Sequence, residues 1–192
     1  KGILADIGVS SLQLDDINRG FSFKSETLDM RMNQDQKLSA RDVINNYSQA
    51  KLEYIFKEYG EIKEYKKLAS LIVQNRPFDT AKQLTNFLSQ NMRKTQSHHL
   101  ATLPFQAIRI EVNQELESLK ELLQSIEKAN LSNCIIAIIT FHSLEDKIVK
   151  DYFKKWAKDC ICPAHFYKCE CTNNNSKGKI LTKKPIIPTK EE

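Results

Sequence analysis

The chain has 192 residues, enough for one substantial core or two small ones, and its 41% hydrophobic and 28% charged content excludes disordered and collagen-like classes. Twenty-nine basic against 24 acidic residues give a net charge of +5, which permits a polyanionic partner without requiring one. The longest apolar run, residues 134–139, is strand-sized and far short of the roughly 20 residues a membrane helix needs.

The first residues lack the apolar stretch and small-residue cleavage site of a secretory signal, so a cytoplasmic protein is expected, with no membrane and no DNA partner. Residues 2–7 predict a short strand: Ile3, Leu4, Ala5 and Ile7 are apolar without alternation, as in a parallel strand covered on both faces. The comparable segment is 134–140, so two strands of one sheet are separated by more than a hundred residues. A parallel crossover needs only a dozen or so residues, and the excess implies an inserted module.

The inserted stretch reads as helical. Ser39 with Asp42 forms a capping-box pattern opening a helix through Val43, Tyr47, Leu52, Ile55 and Phe56, which Gly60 breaks. A second helix runs from about Ile62 through Leu68, Ala69, Ile72 and Val73 until Pro77. Thr80 with Gln83 caps a third, followed by a polar loop over 93–102. The longest helix is expected to start near Pro104 and continue to Ile126. After the second strand, Ser143 and Asp146 form another capping pattern ahead of the apolar stripe Ile148, Val149, Tyr152, Phe153 and Trp156. One further strand is expected at 179–182, and so few strands imply that partner strands lie outside this chain.

Four constellations carry candidate chemistry. Asp6 ends the first strand, where open parallel sheets bind ligands, with Ser10, Ser11 and Gln13 in the loop beyond; an Asp there also serves as a plain turn-former. His142 and Ser143 follow the second strand, so both polar clusters should share one rim, although helix capping is the better account of Ser143. Arg19, Phe21 and Phe23 together with Met30, Arg31 and Met32 mix guanidinium, aromatic and sulfur groups. Such a mixture suits single-stranded RNA or a lid packed on its own domain. Cys160, Cys162, His165, Cys169 and Cys171 are metal-ligand types within twelve residues, readable as a structural zinc site or as reduced loop cysteines. The five glycines, Gly2, Gly8, Gly20, Gly60 and Gly178, stand alone, so no G-x-G phosphate or nucleoside cradle is present.

The strings GILADIGVSSLQLDD, RGFSF, LDMRM, FQAIRIEVNQEL and FHSLEDKIVK, with a weaker ILTKKPIIP, resemble in order and separation the MraW (RsmH) family of methyltransferases acting on a cytosine of small-subunit ribosomal RNA. The resemblance implies an α/β fold: a partial class I, Rossmann-like methyltransferase sheet with a large inserted helical domain, predominantly helical in this chain. It implies divisions at 1–33 (strand and loop of the methyltransferase domain), 34–103 (inserted helical RNA platform) and 104–192 (return to the methyltransferase domain). The family's cofactor loop of D-x-T-x-G-x-G-G-H type would precede Lys1, so this chain alone is expected to be inactive. S-adenosylmethionine is the implied cofactor, contacted by Asp6 and Gln13, and small-subunit ribosomal RNA the implied partner. The catalytic residue is left open among Asp6, Ser10, Ser11 and His142; Arg19, Arg31, Arg109, His142 and Ser143 are the implied RNA contacts. The competing expectation is a non-catalytic helical RNA-binding or ribosome-assembly module, which needs no juxtaposition of the two strand ends.

Overall fold

The computed structural model describes residues 1–92, 100–162, 168–171 and 174–189. Among them form two strands, β1 (Gly2–Asp6) and β2 (Ile135–Ile139), and eight helices. The helices are α1 (Ser11–Asp15), α2 (Ala40–Asn46), α3 (Gln49–Glu58), α4 (Tyr65–Gln74), α5 (Ala81–Asn91), α6 (Thr102–Asn113), α7 (Glu115–Ala129) and α8 (Ser143–Trp156). They fall into two compact units, Lys1–Gly8 with Leu119–Glu192, and Val9–Ser118. These are not the divisions drawn from sequence at 33 and 103. Phe21, Leu28 and Met30 on one side and Phe105, Ile108 and Val112 on the other share the apolar cluster of the helical unit.

In the sheet-bearing unit β1 and β2 pair in parallel, from Gly2 opposite Ile135 to Asp6 opposite Ile139. Ile3, Ile7, Ile136 and Ile138 pack against Leu119, Leu123 and Ile126 of α7 and Val149 and Trp156 of α8. The opposite face is open, with Leu4 72%, Ile135 62% and Ile139 44% exposed. The strands therefore alternate, contrary to the expectation of burial on both faces. An unbroken apolar run does not say how many faces are covered, and among the described residues the helices cover one. Residues 179–182 form no strand; β-branched residues alone do not make one without an edge to pair with. The result is mostly helical with a small parallel sheet, compatible with part of a Rossmann-like arrangement.

The helical unit follows the capping signals closely. Ser39 and Asp42 complete a capping box on α2, and the Thr80 hydroxyl accepts from the Gln83 N–H on α5. The first predicted helix is, however, two: Tyr47 turns extended and Ser48 caps α3 by accepting from Lys51 N–H. The fourth is also two, because Gln114 adopts a left-handed conformation (φ 49°) between α6 and α7. Both breaks leave the apolar periodicity intact on each side, which is why the pattern reads through them. Side chains with at most 1% exposure, among them Ile44, Leu52, Ile55, Phe56, Ile72, Leu84, Leu88 and Ile108, form the core. Each such burial stabilises the fold by about 1.5–3 kcal/mol before entropy.

The irregular segment before α2 is held by this core. Gly20 sits at φ +76°, where a Cβ would overlap the Asp29 backbone nitrogen, and the Met30 N–H donates to the Arg19 carbonyl at 2.9 Å. The Asp29 and Leu28 carbonyls accept from Ala40 and Arg41 N–H, and those of Thr27 and Ser25 from Ala81 and Lys82 N–H. The segment thus satisfies amides that the first turns of α2 and α5 would otherwise leave unpaired.

Candidate active site at the strand ends

Parallel register brings the carboxyl ends of β1 and β2 to one rim. Asp6, the last residue of β1 and exposed, lies opposite Ile139. Two residues on, Gly8 meets the ring of Phe141 so closely that any Cβ there would overlap it. Glycine at position 8 is thus what lets the loop after β1 and the loop after β2 touch. Phe141 is still 60% exposed, and with Asp6 gives the rim an apolar ring beside a carboxylate.

His142 follows as the N-cap of α8, in extended conformation, its Nδ1 accepting from the Glu145 N–H at 3.5 Å. The capping pattern read at Ser143 and Asp146 is therefore shifted: Ser143 is the first helical residue, and Asp146 pairs with Lys150 at 2.6 Å. A ring that accepts at Nδ1 carries its proton on Nε2 when neutral. That atom lies 3.2 Å from Glu145 Oε1 but without hydrogen-bond alignment, and among the described residues it has no hydrogen-bond partner. Glu145 is the residue sequence reasoning missed. Only 2% exposed, it accepts the Phe141 N–H at 2.8 Å through Oε2, tying the rim loop to the helix. Its signal is in the sequence, since it occupies the third helical position of an H-x-x-E pattern that begins one residue before Ser143.

Ser10, Ser11 and Gln13 belong to the helical unit. Ser10 caps α1 and Gln13 closes the box, its Oε1 accepting the Ser10 N–H at 3.0 Å while Gln13 N–H donates to Ser10 Oγ at 3.3 Å. Ser11 is the exposed first residue of α1. The carboxamide oxygen of Gln13 is thus taken up by the cap of its own helix.

The three arginines read as phosphate contacts are engaged inside the helical unit. Arg19 donates to the Arg31 and Met32 carbonyls at 2.9 and 3.1 Å. Arg31 forms a two-pronged pair with Asp29 at 2.6 and 2.9 Å and donates to the Gln34 and Gln36 carbonyls. Arg109 grips Glu115 at 2.8 and 2.9 Å. Burial raises the Asp29 carboxyl, yet the Arg31 hydrogen bonds and charge outweigh it and hold Asp29 below its ordinary range. Phe21 and Met30 are 6% and 1% exposed, and Phe23 packs edge-on against Phe105 at 4.9 Å. Of the two readings of this mixed segment, the geometry is that of a segment packed on its own unit. His165 lies outside the described residues; Cys160, Cys162, Cys169 and Cys171 stand together after α8.

The model of the MraW methylase family matches residues 1–192. The chain belongs to that family. Among its relatives, the ribosomal RNA small subunit methyltransferase H of Aliarcobacter butzleri (strain RM4018) is 66% identical over 189 residues, covering 98% of this chain and 63% of that protein. The proteins of the same name from Helicobacter pylori (strain P12) and Wolinella succinogenes are 57% and 54% identical, covering all of this chain and 62% and 63% of their own lengths. This MraW-family chain therefore spans less than two thirds of those relatives. The family resemblance carried by the five strings is thus established over the whole chain.

Proposed function

We propose that the protein to which this chain belongs transfers a methyl group from S-adenosylmethionine to the exocyclic amine of a cytosine in small-subunit ribosomal RNA. One observation carries the reading: in a member of the MraW methylase family, Asp6 and the Phe141–His142 loop stand on one rim of a parallel sheet. That is where open α/β sheets take ligands, and a non-catalytic module has no need of it. The names of the similar proteins from Aliarcobacter and Helicobacter supply the substrate class.

The donor group fits in part. An exposed carboxylate at Asp6 suits the amine or hydroxyl donors of a nucleoside; no glycine-rich cradle is among the described residues. S-adenosylmethionine, when bound, supplies an electrophilic methyl on sulfur. The cytosine amine that would receive this methyl would also have to give up one proton. The protein then has to align the base in line, exclude water and accept that proton. Asp6 is assigned to holding the donor, Phe141 to stacking on the extruded base, and His142 with Ser143 to seating the base or its phosphate. The helical unit serves as the RNA platform, with Arg19, Arg31 and Arg109, each held by partners within that unit, shaping its surface.

Asp6→Ala in the full-length protein is expected to reduce methylation of small-subunit RNA about 100-fold while leaving the fold intact, since Asp6 is exposed. Undiminished methylation removes Asp6 from the site.

A further inference from the structure

The short turn after α8 gathers four thiols that the methyl-transfer reading does not use. Cys160, Cys162, Cys169 and Cys171 place all four Sγ atoms within 4.8 Å of one another. Cys160 and Cys169 are 3.6 Å apart, Cys169 and Cys171 3.5 Å. A disulfide needs sulfurs at about 2.05 Å, so these contacts are not cross-links. Four sulfurs at the vertices of a tetrahedron around Zn²⁺, with bonds of about 2.3 Å, would stand about 3.8 Å apart, close to the separations seen.

The backbone is arranged for thiolates as well. Ile161 N–H donates to Cys171 Sγ and Glu170 N–H to Cys162 Sγ, both at 3.3 Å, so each C-x-C pair supplies an amide to a sulfur of the other. Such donors offset anionic charge on ligand sulfurs and fix their orientation. The turn is braced from outside. Asn175 Nδ2 donates to the Asp159 and Cys171 carbonyls at 3.0 and 2.9 Å, and Lys177 N–H to the Trp156 carbonyl at 2.7 Å. The one-residue spacing, tighter than a C-x-x-C knuckle, is met by crossing two such pairs rather than by widening either.

We propose that Cys160, Cys162, Cys169 and Cys171 form a structural tetrathiolate zinc site. All four ligand positions are taken by protein, so the metal holds the turn to the end of α8 and has no opening for substrate. Binding releases the four thiol protons and leaves a doubly negative centre. The bound turn in turn steadies Lys177, whose ammonium pairs with Glu127 of α7 at 2.9 Å. The site stands independently of the methyl-transfer assignment.

Metal analysis of the full-length protein, expressed with added zinc and purified without chelator, tests this. About one zinc per chain is expected, falling at least about tenfold in the Cys162→Ser/Cys171→Ser double variant. Cys134→Ser and His165→Ala are expected to keep it. So that misfolding of the double variant cannot imitate metal loss, the unaltered protein is also stripped and titrated with Co²⁺. The visible absorption of tetrahedral tetrathiolate cobalt should appear and be abolished by added zinc. Less than about a tenth of a zinc per chain with every thiol open to a thiol reagent, iron in its place, or an octahedral cobalt spectrum overturns the proposal. Zinc lost in His165→Ala overturns the tetrathiolate set.

Discussion

His142 shows how one side chain is asked to do structural work while standing where chemistry is proposed. Its ring caps α8, and removing a cap costs about 1 kcal/mol, so His142→Ala is expected to lose about that much stability in denaturant titration. Asn also caps well, so His142→Asn is expected to keep stability within a few tenths of a kcal/mol yet lose methylation at least about tenfold. Full activity in His142→Asn would leave the ring as a cap and nothing more. Glu127 offers a separate reading by pH. Hydrogen bonds from Lys177 and Lys155 hold its carboxyl well below the usual range, at about 2. The folded value is depressed below the ordinary 4.5, so its contribution is present in full above that pH and fades as pH falls towards about 2. Both lysines are about half exposed or more, so the pairs are worth no more than about 1 kcal/mol. Glu127→Gln should flatten stability against pH across that window, and an unchanged slope would show the pairs to be idle.

At the scale of elements, the break between α6 and α7 rests on one residue. Gln114 holds φ 49°, a conformation glycine adopts without strain, so Gln114→Gly is expected to stabilise by up to about 1 kcal/mol and Gln114→Val to destabilise. If Gly destabilised instead, an unbroken helix would be the better description. The same position explains what could be read in advance. Caps at Ser39 and Thr80 were legible because a hydroxyl that must accept an amide hydrogen bond leaves a local, directional signature. The breaks at Tyr47–Ser48 and Gln114 were not, because apolar spacing continues across them and neither has Gly or Pro to mark it. His142 was seen as polar and rim-facing but not as a cap, since histidine ranks low among capping residues. The joint burial of Glu145 had no composition signal beyond its spacing. The approach of Gly8 to Phe141 depended on strand pairing across more than a hundred residues, which alternation cannot disclose. The arginines were legible as charges but not as paired charges, because Asp29 and Glu115 become partners only once the turns are made.

At the scale of the molecule, the two units are unequally secured. The helical unit buries Ile44, Leu52, Phe56, Ile72, Leu84, Leu88 and Ile108 completely, drawn from α2 through α6. The sheet-bearing unit relies on Leu119, Leu123, Ile126, Val149 and Trp156, three of them 8% exposed, and its two strands show an open apolar face. A two-stranded sheet with one uncovered face has little to resist local opening, whereas helices around a closed core open only with most of that core. Amide hydrogen exchange in this 192-residue chain should therefore be at least about tenfold faster in β1 and β2 than in the central turns of α3 and α4, a difference of about 1.4 kcal/mol in opening free energy. Equal protection would mean that the strands gain support which the packing of Ile3, Ile136 and Ile138 on α7 and α8 does not account for. The methyl-transfer proposal depends on the weaker unit, because Asp6 and His142 both follow from its strands. Its rim is consequently the part of the chain whose geometry stands to gain most from whatever covers Leu4, Ile135 and Ile139, and protection of β1 and β2 measured in the full-length protein should exceed that in this chain.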